Sequence, residues 1–338
     1  MKCSFSSMMA LVLGFSAVML NGCGPANEPR FQSLGIGGGG GMFCPASSPH
    51  DPNLMFVSCD MGGFYRSTDG GKTWRMYNVR EIGSSTQCRP AFHPADANIV
   101  YMANKDVLYI SRNRGQSFER MLQAAPWTGA TIRAINLDRG QGDTMFVGSD
   151  KGLWRSADGG KSFVPCQGIS GTVIWTHVDQ SSPKDKRVVL CGTTAGFFRS
   201  DDGGQTWNAP SPSMKEMAGF AAGSDSKIVR CYSTTKEGVF VSEDRGQTWT
   251  ACEGGLPKTQ FTFAAMAENL PQTCYVTDKG TKWGVYKTTD GGKTWLKVFR
   301  FMANEPQQNV QWGFLALDIS PAWGGPAIGF SVNPGNAD

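Results

Sequence analysis

The chain has little of what most chemical sites are built from. It contains three histidines, His50, His93 and His177, and no two of them stand at metal-ligand spacing. An imidazole-held metal centre is therefore not expected. Ten cysteines occur, but none forms the Cys-x-x-Cys pair that marks a zinc knuckle or a redox dithiol. There is no Gly-x-Ser-x-Gly elbow, the usual setting of a nucleophilic serine on a strand-to-helix turn. Net charge is +4, with no block of lysine or arginine, so nothing marks a nucleic-acid-binding face. Gly-Gly-Lys-Thr resembles the end of a phosphate loop, yet the residues five before Gly71, Gly160 and Gly292 are Arg66, Arg155 and Lys287. A strand is expected after each copy, so no helix N-terminus faces a phosphate. No cofactor and no metal are expected.

Glycine and aromatics are abundant instead, at 43 residues and 11%, and helical periodicity is scarce. One eight-residue phrase, Ser67-Thr-Asp-Gly-Gly-Lys-Thr-Trp74, returns at 111–118, 156–163, 200–207, 242–249 and 288–295. Successive copies begin 42 to 46 residues apart, a period that marks a repeat architecture. Five copies keep the aspartate (the second has Asn113), all six keep the second glycine, and all six end in an aromatic. A short apolar strand precedes each copy and another follows. Ser and Asp oxygens can cap backbone N–H groups between them while glycine supplies a positive-φ position, so each phrase reads as a hairpin turn. Each repeat divides into four strands; in the third these fall at 130–136, 144–148, 152–155 and 162–166.

The phrase resembles the Asp-box (BNR) repeat of β-propellers. The resemblance implies an all-β fold, a propeller of four-stranded antiparallel blades with the boxes joining third and fourth strands at one rim. Six boxed repeats fill about 41–300. The remainder, 301–338, holds strand-like 310–317 and no box, and its end resembles the stretch that leads into a second strand elsewhere. A partial seventh blade of a seven-bladed ring is expected, in a propeller spanning 37–338 that is cut short at its C-terminus.

Residues 1–22 read as an export signal, with Lys2 ahead of an apolar run from Met8 to Leu20 that is too short to span a bilayer comfortably. Leu20-Asn-Gly-Cys23 resembles a bacterial lipobox, which implies lipidation of Cys23, a linker over 23–36 and attachment to the cell envelope by a lipid anchor. Ordinary signal cleavage is the alternative. Of the other cysteines, most lie in strand-like runs such as Val188-Val-Leu-Cys191, where the thiol serves as a small apolar core group.

The segment Asp60-Met-Gly-Gly-Phe-Tyr-Arg66, preceded by a Gly-rich entry at 37–41 and His50-Asp-Pro, is similar to the start of glycoside hydrolase family 74. That resemblance implies an exported carbohydrate-active protein, the N-terminal half of a xyloglucanase-like hydrolase. Members pair two propellers across a cleft and cut β-glucan backbones with inversion, using one aspartate from each. Asp60 matches the general base. The chain departs from the family in having a single propeller, in reading Gly129-Ala-Thr-Ile-Arg133 where the family has Gly-Glu-Arg-Leu, and in placing Cys59 before Asp60. Inversion needs two carboxyl groups about 6.5–9.5 Å apart, so this chain alone should be inactive. Asp60 reads equally as a solvated turn carboxylate.

Further substrate-binding candidates on the rim opposite the boxes are Trp127, Asp150 and Asp278, since sugars stack on aromatics and bond to carboxylates. Packed or solvated loop positions are the alternative for each. The partner classes are thus a polysaccharide (β-glucan or xyloglucan), or a protein ligand if the chain is a non-catalytic scaffold like the Asp-box lipoproteins that resemble photosystem assembly factors.

Overall fold

The computed structural model describes residues 42–59, 63–83, 88–122, 125–211, 214, 217–224, 228–267, 269–278, 284–300, 314–319 and 328–332. The export signal, the linker, Cys23 and Asp60 lie outside the described residues. Blade 1 consists of β1 (Met42–Ser47), β2 (Met55–Cys59), β3 (Gly63–Ser67) and β4 (Arg75–Met76). Blade 2 holds β5 (Ala91–Phe92), β6 (Val100–Asn104), β7 (Val107–Ser111) and β8 (Glu119–Arg120). Blade 3 follows with β9 (Ile132–Leu137), β10 (Met145–Ser149), β11 (Gly152–Ser156) and β12 (Val164–Pro165). In blade 4 the strands are β13 (Val173–Val178), β14 (Val189–Thr193), β15 (Gly196–Ser200) and β16 (Asn208–Ser211). Blade 5 comprises β17 (Gly219–Ser224), β18 (Val229–Thr234), β19 (Val239–Ser242) and β20 (Thr250–Ala251), and blade 6 β21 (Phe261–Ala265), β22 (Cys274–Asp278), β23 (Gly284–Thr288) and β24 (Leu296–Arg300). Every blade is an antiparallel meander in sequence order. A further antiparallel pair, β25 (Phe314–Ile319) with β26 (Ile328–Val332), completes the described strands, and β25 lies against both β1 and β21.

Second strands such as β6, β10, β14 and β22 are buried along their whole length. They lie under neighbouring blades on both faces, which is why they read as apolar runs rather than alternating ones. Five apolar clusters fill the seams between successive blades. The first joins Leu54, Phe56 and Phe64 of blade 1 to Val100, Met102 and Phe118 of blade 2. Others join blades 2 and 3 around Trp127, 3 and 4 around Phe146, 4 and 5 around Phe197, and 5 and 6 around Tyr232. Most described cysteines are buried in these layers, Cys44 is half-buried, and all of them are free thiols.

All six boxes lie between third and fourth strands, as their letters require. In the first, Gly71 N–H donates to Ser67 Oγ at 2.8 Å, and Thr73 donates to Asp69 through its N–H at 2.9 Å and its hydroxyl at 2.6 Å. Trp74 Nε1–H closes the turn on Gly71 O at 2.9 Å. The second glycine is retained for a reason beyond its positive φ: a Cβ on Gly204 would lie 2.5 Å from the Phe146 ring of the preceding blade, and on Gly246 it would lie 2.3 Å from Phe197. Where the first glycine is missing, Arg114 and Arg245 occupy the left-handed region at φ 59° and 60°, a cost to any side chain. Each offsets it by reaching back to the preceding blade, Arg114 to Asp51 and Arg245 to Asp179. In the other direction Arg66, Arg155 and Arg199 donate to backbone carbonyls of the next blade's box, at Arg114, Gly203 and Arg245.

Hydrogen bonds from Thr73 and Thr294 hold the Asp69 and Asp290 carboxyls down to about 2. A carboxyl depressed in the folded state stabilises above its unfolded value near 3.8 and loses that contribution as pH falls toward about 2. The near-UV circular dichroism of the folded ring should therefore decay between about pH 4 and pH 2, with Asp69→Asn reducing the pH dependence in that window. A signal unchanged down to pH 2, or an unaltered profile in Asp69→Asn, would take the boxes out of acid stability.

Candidate functional site

Because each strand reverses its predecessor, the boxes share one rim with the turns between first and second strands. The turns between second and third strands, and the connections between blades, emerge at the opposite rim. Trp127, Asp150 and Asp278 belong to the elements that meet at that second rim.

Asp150 is the residue after β10, as Asp60 is the residue after β2. Its exposed carboxylate accepts from Thr131 N–H at 2.9 Å, and its own N–H donates to Thr131 O at 3.2 Å. One blade back, Asp106 Oδ2 accepts from Gly129 N–H at 2.8 Å, and Lys151 Nζ donates to Thr128 O at 3.0 Å. The connection from blade 2 to blade 3 is thus clamped by a carboxylate from each side. Exposed carboxylates held by one backbone donor keep lone pairs for a second partner, which suits them to hydroxyl ligands.

Trp127 is placed differently from a rim platform. It is 1% exposed, with Trp154 and Phe163 edge-on to its ring at centroid distances of 5.5 and 4.9 Å. Its Nε1–H donates to Asp106 O at 2.9 Å. Ring and donor are both occupied by protein, within the seam between blades 2 and 3. Asp278 is also buried, 1% exposed, at the end of β22. Burial raises its carboxyl above the ordinary range, against the pull of the Gly284 N–H it accepts and of the Lys297 charge. A carboxyl so placed holds its proton to higher pH than a solvated one. Asp150 and Asp278 stand on blades 3 and 6, which are not neighbours.

The first strands of all six blades line a central channel with a volume of about 460 Å³. At the rim of the candidate residues its wall carries Arg89, Arg133 and Trp175, with Arg89 Cζ 5.1 Å from the Trp175 ring centroid. At the box rim it carries His50, Arg139 and His177. His50 Nε2 bonds His93 O at 2.8 Å, and His93 Nδ1 accepts from Ala95 and Asp96 N–H at 3.2 and 3.0 Å, so this histidine pair organises turns. No group of three or more His, Cys, Asp or Glu side chains is arranged to hold a metal ion among the described residues. The channel residues went unread in the sequence because Arg89, Arg133 and Trp175 are spread over three repeats. Their shared position, at or near the start of a first strand, was the signal that could have united them.

Six four-stranded blades about a channel, each closed by the same Ser/Thr-x-Asp/Asn turn, define an Asp-box β-propeller. The BNR/Asp-box repeat family model matches residues 65–76 and 198–209. Among curated proteins the chain is similar to Xyloglucanase Xgh74A of Acetivibrio thermocellus, 23% identical over 382 residues that cover 90% of this chain and 44% of that protein. Among solved structures it is similar to an ancestral GH74 enzyme, with a TM-score of 0.70, 17% identity, and coverage of 90% of this chain and 45% of that one. YCF48 bound to D1 peptide matches with a TM-score of 0.58 and 15% identity, over 82% of this chain and 86% of that one. The chain spans about half the length of the xyloglucanase it matches.

Proposed function

We propose that this chain is a xyloglucanase-like β-propeller that binds a β-glucan backbone across the rim bearing Asp150 and Asp278. The supporting observation is the similarity to a xyloglucanase along 90% of the chain, which takes in the Asp60-Met-Gly-Gly-Phe-Tyr-Arg66 segment. Paired with a second propeller, Asp60 would serve as general base on a water opposite the leaving oxygen, and the general acid would come from the partner propeller. Asp150 would bond substrate hydroxyls from the same rim. The β25–β26 pair, lying against β1 and β21, is the start of a seventh blade in this reading. Export and a lipid anchor at Cys23 would place the site on polysaccharide outside the cytoplasm.

A second reading, a non-catalytic scaffold for a protein ligand, is favoured by the likeness to YCF48, which this chain covers over most of its length. The deciding measurement is affinity electrophoresis in xyloglucan gels, with hydrolysis assayed both for this chain and for a longer chain carrying a second propeller. Expected results are retardation by xyloglucan, no turnover by this chain alone, turnover by the longer chain, and its loss in Asp60→Asn. Unretarded migration would overturn glucan binding, and full turnover in the Asp60→Asn longer chain would remove Asp60 from the chemistry.

A further inference from the structure

The outer edge of blades 1 and 2 carries basic and apolar side chains that glucan binding does not use. Between Arg75 and Arg80, Tyr77 is buried in the seam, while Met76 and Val79 are 52% and 67% exposed. They are two of the five large apolar side chains exposed among the described residues. Arg75 and Arg80 are exposed beside them. The local backbone fixes this arrangement. After β4 the chain turns on Asn78, whose carbonyl accepts from Glu81 and Ile82 N–H at 2.9 and 3.1 Å. Asn78 Oδ1 also accepts from Arg80 N–H at 2.9 Å, the side-chain cap that favours asparagine in such turns. Ile82, 1% exposed, anchors the turn inward, so Val79 and Arg80 are held at its tip.

The turn is fastened to blade 2. Glu81 Oε1 accepts from Phe118 N–H at 3.0 Å, and the Tyr77 and Phe118 rings meet edge-on at a centroid distance of 5.6 Å. This brings the end of blade 1 to β8, where Arg120 is exposed. Positive charge is crowded here. Burial holds the Arg66 guanidinium below its ordinary value, Tyr77 opposes that, and the charges of Arg114 and Arg75 add to it. The neighbouring acidic groups are already engaged. Asp69 accepts from Thr73 inside its box, Asp51 pairs with Arg114, and Glu119 pairs with Arg112 at 3.4 Å. Lys72, Arg75, Arg80 and Arg120 form no ion pair among the described residues.

We infer that this edge docks on an anionic phospholipid bilayer, with Lys72, Arg75, Arg80 and Arg120 toward the headgroup phosphates and Met76 and Val79 at the acyl boundary. Basic side chains strengthen binding at a negative membrane surface, and aliphatic groups at the interface add the area they remove from water. An acidic polysaccharide or a nucleic acid would use the basic groups but leave both aliphatic side chains in water. The ring that could stack on a sugar or a base, Tyr77, is enclosed in the seam. Fourth strands form the outer edge of a propeller, so a bilayer held there leaves both rims open to solution. The contact is independent of glucan binding and of an anchor at Cys23.

The test is cosedimentation of the full chain carrying Cys23→Ser, which cannot be lipidated there, with vesicles of phosphatidylcholine alone or mixed with phosphatidylglycerol. Binding to the mixed vesicles and not to the neutral ones is expected, weakening as salt rises. Arg75→Gln and Arg80→Gln should each weaken it about fivefold. The double variant Met76→Ser/Val79→Ser should weaken it about tenfold with the salt dependence kept. Lys161→Gln, an exposed lysine of the blade 3 box, should change nothing. If an arginine variant fails to give the wild-type circular dichroism, Lys72→Gln and Arg120→Gln carry the same expectation. Equal binding to both kinds of vesicle, an equal loss in Lys161→Gln, unchanged affinity in the folded patch variants, or binding to polygalacturonate and not to vesicles would each overturn the assignment.

Discussion

Asp138→Ala should destabilise the propeller by about 3–5 kcal/mol, the largest loss expected from one polar substitution in this chain. Asp138 begins the turn after β9, and its Oδ2 takes Arg187 Nε–H at 2.8 Å across the seam between blades 3 and 4. The two side chains are 2% and 4% exposed. Oδ1 caps Gly140 N–H at 2.8 Å, and Arg187 Nη1 donates to the carbonyls of Asp179, Gln180 and Ser182. Removing the carboxylate leaves a guanidinium charge buried without its counter-ion, and that penalty dominates the loss. The double variant Asp138→Ala/Arg187→Met should therefore lose less than the two single losses combined. Urea unfolding of the four species measures the coupling. A single loss below about 1 kcal/mol, or strict additivity, would show that water reaches the pair.

Trp127→Ala should cost a similar amount, about 3–5 kcal/mol. The ring fills the cluster between blades 2 and 3 with Leu108, Ile132 and Trp154. Trp127→Phe should cost clearly less, because it keeps most of the ring and loses the bond to Asp106 O. The alternative role, as a sugar platform, gives the opposite pattern: Trp127→Ala would then leave stability intact and abolish retardation in xyloglucan gels. Thermal unfolding and gel retardation measured on the same two variants separate these outcomes.

The repeat was legible because its letters act locally. Ser67, Asp69, Gly71 and Thr73 satisfy one another within a single turn, so their spacing alone carries the geometry. Strand limits in the third repeat follow the expected ones closely at β10 and β11, whereas 162–166 shrinks to Val164–Pro165. An outermost strand has a pairing partner on one side only, and its exposed residues leave the ladder early. Trp127 was harder to place. An aromatic in a blade-to-blade connection looks the same whether it points to solvent or into the seam, and only the neighbouring Trp154 and Phe163 decide. Arg187 and Asp138 are 49 residues apart, and Arg89 and Trp175 stand in different repeats. Contacts that join non-equivalent positions leave no period to read.

The rim contacts described above have an order in time as well as in space. Arg66, Arg155 and Arg199 find their acceptors one repeat later in the chain, and Arg114 and Arg245 find theirs one repeat earlier. Each described seam therefore needs only two consecutive repeats, about 90 residues of emerged polypeptide at a synthesis rate of roughly 5–20 residues per second. A nascent chain can fasten blade 1 to blade 2 within seconds of the second box leaving the ribosome, long before blade 6 exists. The growing array then shows two unclasped faces, that of the newest blade and that of blade 1, which β25 covers last, and the apolar surface exposed during synthesis does not grow with the length of the array.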